Sequence, residues 1–142
     1  VEDERFYEHP GVDIIGIGRA VLAQLSGRSE GASTITQQLV RNTILSEEQF
    51  DQTIERKVRE AFIALEMEKI YSKDEILMMY LNCIYYGHGA YGIQAASKTY
   101  LSKNASDLTL AEAALLIGLP NSPSYYDPTV NPEVAVEQSP SR

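Results

Sequence analysis

The sequence predicts a mainly α-helical single domain, and three observations predict it. Apolar residues recur three and four positions apart through most of the chain. Two capping boxes, Ser72-Lys-Asp-Glu75 and Thr109-Leu-Ala-Glu112, mark helix starts. No stretch carries the strict alternation of a half-buried strand, and no internal repeat is visible. At 142 residues and 44% hydrophobic, the chain is long enough and apolar enough for one domain with a real core.

The elements follow in order. Val12 to Leu25 carries Ile14, Ile15, Ile17, Val21, Leu22 and Leu25, a broad apolar helical face that Gly16 and Gly18 interrupt. Ser26 to Gly31 is rich in helix breakers and reads as a loop. Thr34 to Ile44 reads as a helix with Ser33 as its N-cap. A longer helix runs from Thr53 to Tyr71 on Ile54, Val58, Phe62, Leu65 and Ile70. The first capping box opens a helix through Leu77, Met78, Tyr80 and Leu81, and Tyr86 to Gly92 is a glycine-punctuated turn. Ile93 to Leu101 is a short helix. The second box opens one through Leu115 to Ile117, which Gly118 and Pro120 stop. Prolines make residues 121–132 irregular, and 133–142 reads as a tail. The whole amounts to about seven short helices. The abrupt start at Val1 and the apolar-poor end lead us to expect a piece of a longer chain, truncated at both ends.

Composition narrows the function. A formal net charge of −8 disfavours general nucleic-acid binding, which wants a basic face. Apolar runs are far shorter than the ~20 residues of a membrane span, although the domain could rest on a membrane surface. Cys83 is the single cysteine and cannot form an internal disulfide or a thiolate cluster. His9 and His88 are too few for a histidine-rich metal site.

Four stretches could carry chemistry. Glu2 to Gly11 concentrates Glu2, Asp3, Glu4 and Glu8 with Arg5 and His9. The plain reading is a solvated turn; the sharper one makes a carboxylate a general base packed by Phe6 and Tyr7. The stretch Gly31-Ala-Ser-Thr-Ile-Thr-Gln-Gln38 sets Ser33, Thr34, Gln37 and Gln38 at a helix start, either as ordinary capping or as neutral donors for an anion and sugar hydroxyls. In Arg56-Lys-Val-Arg-Glu60, Arg56 and Lys57 share a helix face with Glu60, as a surface ion pair or as a phosphate clamp beside a carboxylate. In Glu75 to Asn82 the apolar residues read as core, leaving Tyr80 and Asn82 as polar contributors.

Taken in order, these stretches resemble the peptidoglycan glycosyltransferase family, the glycan-polymerising domain of class A penicillin-binding proteins and monofunctional transglycosylases. The motifs are Glu2-Asp3 with Phe6, His9 and Gly11; Gly31 to Gln38; Arg56 to Glu60; and Lys73 with Ile76, Leu77 and Tyr80-Leu-Asn82. The resemblance implies a lysozyme-like domain with a smaller membrane-proximal lobe, residues 1–132 forming the partial glycosyltransferase domain. It implies lipid II as donor and a growing glycan as acceptor. The acceptor 4-hydroxyl attacks C1 of the donor with inversion, and undecaprenyl pyrophosphate leaves. Glu2 matches the catalytic base and Glu60 the second essential carboxylate. Ser33, Thr34, Gln37 and Gln38 match the neutral lining of the donor cleft. Arg41 and Lys57 match cations that meet pyrophosphate, with Arg56 and Asn82 as further binding residues. The resemblance also gives Glu60 a divalent cation, Mg or Mn, as a partner. It puts the protein at the outer face of the bacterial cytoplasmic membrane, anchored by a segment absent from this chain, among cell-wall synthesis or division proteins.

Three departures stand out. Ala32 replaces the second glycine of the second motif. Gln52 stands where the family has a basic residue eight positions before Glu60. The arginine-rich fifth motif is absent. Two other functions fit parts of the pattern: a lysozyme-like lytic hydrolase, and an inactive fragment that only binds lipid-linked sugar. A hydrolase needs an acid for the leaving sugar and has no use for the cations at Arg41, Arg56 and Lys57.

Overall fold

A computed structural model of the chain describes residues 3–28 and 31–121. The chain forms two compact units, Glu2–Tyr80 and Leu81–Arg142. Six α-helices and three short 3-10 turns make up the regular structure among the described residues, with no strand beyond one isolated bridge. The mainly α expectation holds.

In the first unit, residues 3–13 form consecutive turns that lead into α1 (Ile14–Leu25). Asp13 caps α1, its Oδ1 accepting from the Gly16 N–H at 3.0 Å. The helix therefore starts two residues after Val12, where a carboxylate satisfies an orphan N–H. Its inward face is small, Gly16 and Ala23, while Ile14, Ile15, Val21, Leu22 and Leu25 are exposed.

The next helix, α2 (Ile35–Asn42), begins with a reciprocal capping box. Thr34 Oγ1 accepts from Gln37 N–H at 3.1 Å, and Gln37 Oε1 accepts from Thr34 N–H at 2.9 Å. The cap is thus Thr34 rather than Ser33. The reason is tertiary: the Thr34 hydroxyl also donates to the Gly11 carbonyl at 2.7 Å, whereas the Ser33 hydroxyl is taken by Arg41. The helix ends at Asn42, short of Ile44, where Thr43 Oγ1 donates back to the Leu39 carbonyl at 2.6 Å.

Against α2 packs α3 (Ile54–Ile70), capped by Thr53 Oγ1 on the Arg56 N–H at 3.3 Å. Its buried row is Arg56, Glu60 and Ala64, four residues apart and so on one face. The apolar row of Ile54, Val58, Phe62 and Ile70 is exposed. The periodicity that predicts this helix is real, but it points outward. Then α4 (Lys73–Cys83) opens with the expected Ser72/Glu75 box and buries Ile76 and Tyr80. Phe6, Ile35, Leu39, Val40 and Ala64 are other buried apolar groups of this unit.

The second unit holds the turn at 86–92 and two helices. Gly87, His88, Gly89 and Gly92 all have positive φ, which closes the turn and lets Tyr85 bridge Tyr91. Gly92 is obligatory, because a Cβ there would meet the Asn82 carbonyl oxygen at 2.5 Å. It leads into α5 (Ile93–Leu101). The predicted Thr109/Glu112 box opens α6 (Leu110–Ile117), and Lys103 Nζ donates to both Glu112 oxygens at 2.8 and 2.9 Å. That pairing holds the Glu112 carboxyl below its ordinary pKa, helped by the Thr109 N–H. The irregular stretch and tail predicted beyond Asn121 lie outside the described residues.

Candidate active site

A cleft of about 640 Å³ opens within the first unit. Its apolar walls come from α1, through Ile17 and Val21, and from α3, through Ile54 and Val58. Its polar lining is Gln24, Ser33, Gln37, Lys57 and Glu60, and all but Gln24 of α1 are predicted site residues. Three segments supply them: α1, the start of α2 with the loop before it, and the first half of α3.

Glu60 is the centre of the polar part, its side chain only 2% exposed. Arg41 grips it in a fork, Nη2 to Oε1 at 2.9 Å and Nε to Oε2 at 3.0 Å. Arg56 Nη1 donates to the same Oε2 at 2.5 Å. The i, i+4 pair read from the sequence is therefore present, but buried rather than on the surface. Arg41 Nη2 also donates to Ser33 Oγ at 3.0 Å, which ties the two motifs together. Three cations, Arg41, Arg56 and Lys57, stand against one carboxylate, so the cluster is net positive. In a chain with a net charge of −8, this is a local inversion of sign.

Other predicted residues fall elsewhere. The Thr34 hydroxyl is consumed by the cap and by Gly11, and its side chain is buried, so it shapes the loop instead of lining the cleft. Gln38, within α2, reaches back with its Nε2 to the Ser33 carbonyl and accepts with its Oε1 from Tyr80 Oη, both at 3.5 Å. Asn82 is exposed and belongs to the second unit. Glu2 lies outside the described residues.

The segment that follows Glu2 is firmly tied down. His9 Nδ1 accepts from the Gly11 N–H at 3.0 Å, so the ring proton sits on Nε2 and is donated to Asp3 Oδ2 at 2.7 Å. The same Asp3 oxygen accepts from Ile35 N–H at 3.0 Å, at the start of α2. Lys73 donates to the His9 carbonyl at 2.5 Å, pairs with Glu68, and lies 4.6 Å over the Phe6 ring. Arg5 holds Asp13 through two hydrogen bonds at 3.2 and 2.5 Å, which lowers the Asp13 carboxyl to about 2. Gly11 has φ +116°, and a Cβ there would stand 2.8 Å from the Ala64 carbonyl oxygen of α3. Glu68 is the residue sequence reasoning missed. Its signal is its place at the end of the row Glu60, Ala64, Glu68 on the buried side of α3.

Comparison with known proteins decides the family. The family model for Transglycosylase matches residues 1–140. The chain belongs to the transglycosylase family. It is 50% identical over 135 residues to penicillin-binding protein 1F of Bacillus subtilis, covering 94% of this chain and 18% of that protein. Penicillin-binding protein 2D of the same organism is 53% identical over 140 residues, 97% of this chain and 20% of that protein. Penicillin-binding protein 1A of Vibrio cholerae is 51% identical over 143 residues, 99% of this chain and 16% of that protein. The chain thus spans about a fifth of the length of these relatives. No helix among the described residues of this transglycosylase is long and apolar enough to cross a membrane.

The expected divalent cation does not fit at Glu60. Both oxygens already accept from guanidinium groups, and a cation there would sit beside Arg41 and Arg56. Among the described residues, no three or more His, Cys, Asp or Glu side chains converge as a ligand set.

Proposed function

We propose that this chain is the glycan-polymerising part of a peptidoglycan glycosyltransferase, with residues 1–132 as its domain and 133–142 as a tail. The donor is lipid II, a disaccharide on a lipid pyrophosphate, and the acceptor is the growing glycan. Glu2 takes the proton of the acceptor 4-hydroxyl as its oxygen attacks C1 of the donor. The C1–O bond to phosphate breaks, its electron pair leaves with the lipid pyrophosphate, and a β-1,4 bond forms with inversion.

One observation carries this reading: a cleft lined by the neutral Ser33 and Gln37 and by Lys57 and Glu60, with Arg41 and Arg56 bonded to Glu60, so that the group is net positive. Fixed cations stabilise charge that builds on a leaving pyrophosphate. Neutral donors hold sugar hydroxyls without repelling it. A lytic hydrolase would have no anion to leave there. The apolar walls, Ile17, Val21, Ile54 and Val58, suit a ligand with a lipid portion.

The outward apolar rows of α1 and α3 support a membrane surface as partner. Ile14 and Leu25 of α1 and Ile54 of α3 are each at least 78% exposed, as is Phe50 four residues before α3, more than isolated surface leucines and isoleucines explain. This agrees with action at the outer face of the bacterial cytoplasmic membrane.

The test is turnover of lipid II by the protein that carries this chain. Glu2→Gln should abolish polymerisation while the circular dichroism spectrum stays that of a folded helical protein. Retained turnover in that variant would remove Glu2 as the base.

A further inference from the structure

Glu60 carries a heavier load of protein contacts than a residue aimed at substrate would. Its two oxygens accept three N–H groups, from Arg41 Nη2, Arg41 Nε and Arg56 Nη1, and its side chain is 2% exposed. A carboxylate offers about four lone-pair sites, so little acceptor capacity is left. Arg56 is equally buried and offsets the charge of Glu60. Arg41 is the member that reaches solvent, with a side chain 26% exposed. It bridges two residues that line the cleft, Glu60 and Ser33. Both contacts use Nε and Nη2, and Nη1 is the guanidinium nitrogen outside the grip.

We propose that Glu60 and Ser33 are positioning residues that lock the Arg41 guanidinium at the cleft, and that Glu60 meets neither a metal nor the reacting atoms. The inference rests on the glycosyltransferase reading and refines it. The second carboxylate serves the reaction through Arg41. Ser33 supplies the other half of the grip, its Oγ accepting from Arg41 Nη2. A guanidinium fixed before the substrate arrives stabilises the leaving pyrophosphate without reorganising during the reaction. Planar two-point gripping is a property of arginine that lysine lacks, so Arg41→Lys keeps the charge and loses the lock.

The test is a double-mutant cycle in the polymerising protein that carries this chain, with kcat and KM for lipid II measured separately. Arg41→Ala should lower kcat/KM about tenfold or more, with part of the loss in kcat, as expected for a charge-assisted contact to a leaving phosphate. Ser33→Ala and Glu60→Gln should each lower kcat/KM on their own, and neither should add a further effect in the Arg41→Ala background. Because Glu60→Gln strands a buried arginine and can impair folding, Ser33→Ala, which leaves the buried pair intact, carries the cycle by itself. Two readouts do not depend on turnover. The Arg41 Nε–H proton should be protected from exchange in the wild type and exposed in Glu60→Gln. Binding of Mn²⁺ alone, followed by electron paramagnetic resonance, should be unaltered by Glu60→Gln.

Effects of Ser33→Ala that add in full to Arg41→Ala overturn the positioning role and leave the polymerase reading standing. So does an unprotected Arg41 Nε–H, or Mn²⁺ binding that Glu60→Gln abolishes. A wild-type protein that consumes no lipid II fails the polymerase reading, and this inference falls with it.

Discussion

Replacing Thr34 with valine removes one hydroxyl and almost no volume, yet the structure makes it a costly change. The Thr34 hydroxyl donates to the Gly11 carbonyl at 2.7 Å and accepts from the Gln37 N–H at 3.1 Å, and the side chain is 1% exposed. Water cannot take over either contact. Leaving the buried Gly11 carbonyl unpaired costs about 1–3 kcal/mol. Losing the cap of α2 costs about 0.5–2 kcal/mol more. Their sum centres near 3 kcal/mol, or roughly 6–12 °C of melting temperature for a chain of this size. Thr34→Ser is the control. It keeps both hydrogen bonds and gives up one methyl, about 1 kcal/mol. Thermal unfolding followed by circular dichroism at 222 nm compares the two. Valine and serine variants that melt within about 2 °C of each other would mean the hydroxyl is not bonded as described, since that gap is about 0.5–1 kcal/mol where about 2 kcal/mol is expected.

Gly11→Ala forces a Cβ to within 2.8 Å of the Ala64 carbonyl oxygen at a φ of +116°. Strain and overpacking together should cost about 3 kcal/mol, read as a lower urea midpoint; a loss under about 1 kcal/mol contradicts the close approach of residues 3–13 to α3. Asp13, held near 2 by Arg5, has a folded pKa below its unfolded value of about 3.9. Its contribution is therefore complete above pH ~4 and is lost as pH falls toward 2. Asp13→Asn, which keeps a capping oxygen, should flatten the loss of stability across that window in urea titrations at pH 5 and pH 2.5. An equal slope in both proteins would remove the Arg5 pairing as its cause. Gln52→Arg restores a cation two residues before Ile54 on the cleft wall. It should tighten binding of a pyrophosphate-bearing donor analogue several-fold in calorimetry, and equal or weaker binding would show that Arg41 and Lys57 already satisfy that anion.

Local chemistry was the legible part of the fold. Ser72/Glu75 and Thr109/Glu112 announce their helices because a capping box is complete within four residues. The Arg56–Glu60 pair was legible for the same reason. What eluded local reading depends on distant partners. Ser33 and Thr34 are both good caps, and only Gly11 and Arg41 decide between them. The apolar row of α3 announces a helix but not which way it faces, since periodicity is blind to what covers a face. The knot of Asp3, His9, Glu68 and Lys73 draws on residues more than sixty positions apart, so no spacing rule reaches it. Within the site, Arg41 was expected to meet pyrophosphate and Glu60 to stand near it. That the two hold each other is a fact of packing between α2 and α3.

The most direct measurement supplies the protein with lipid II and, separately, with finished glycan strands, and follows both by chromatography. The account predicts that lipid II disappears into strands of growing length with release of undecaprenyl pyrophosphate, while finished strands stay intact. Shortening of those strands into new reducing ends, with lipid II untouched, would contradict it.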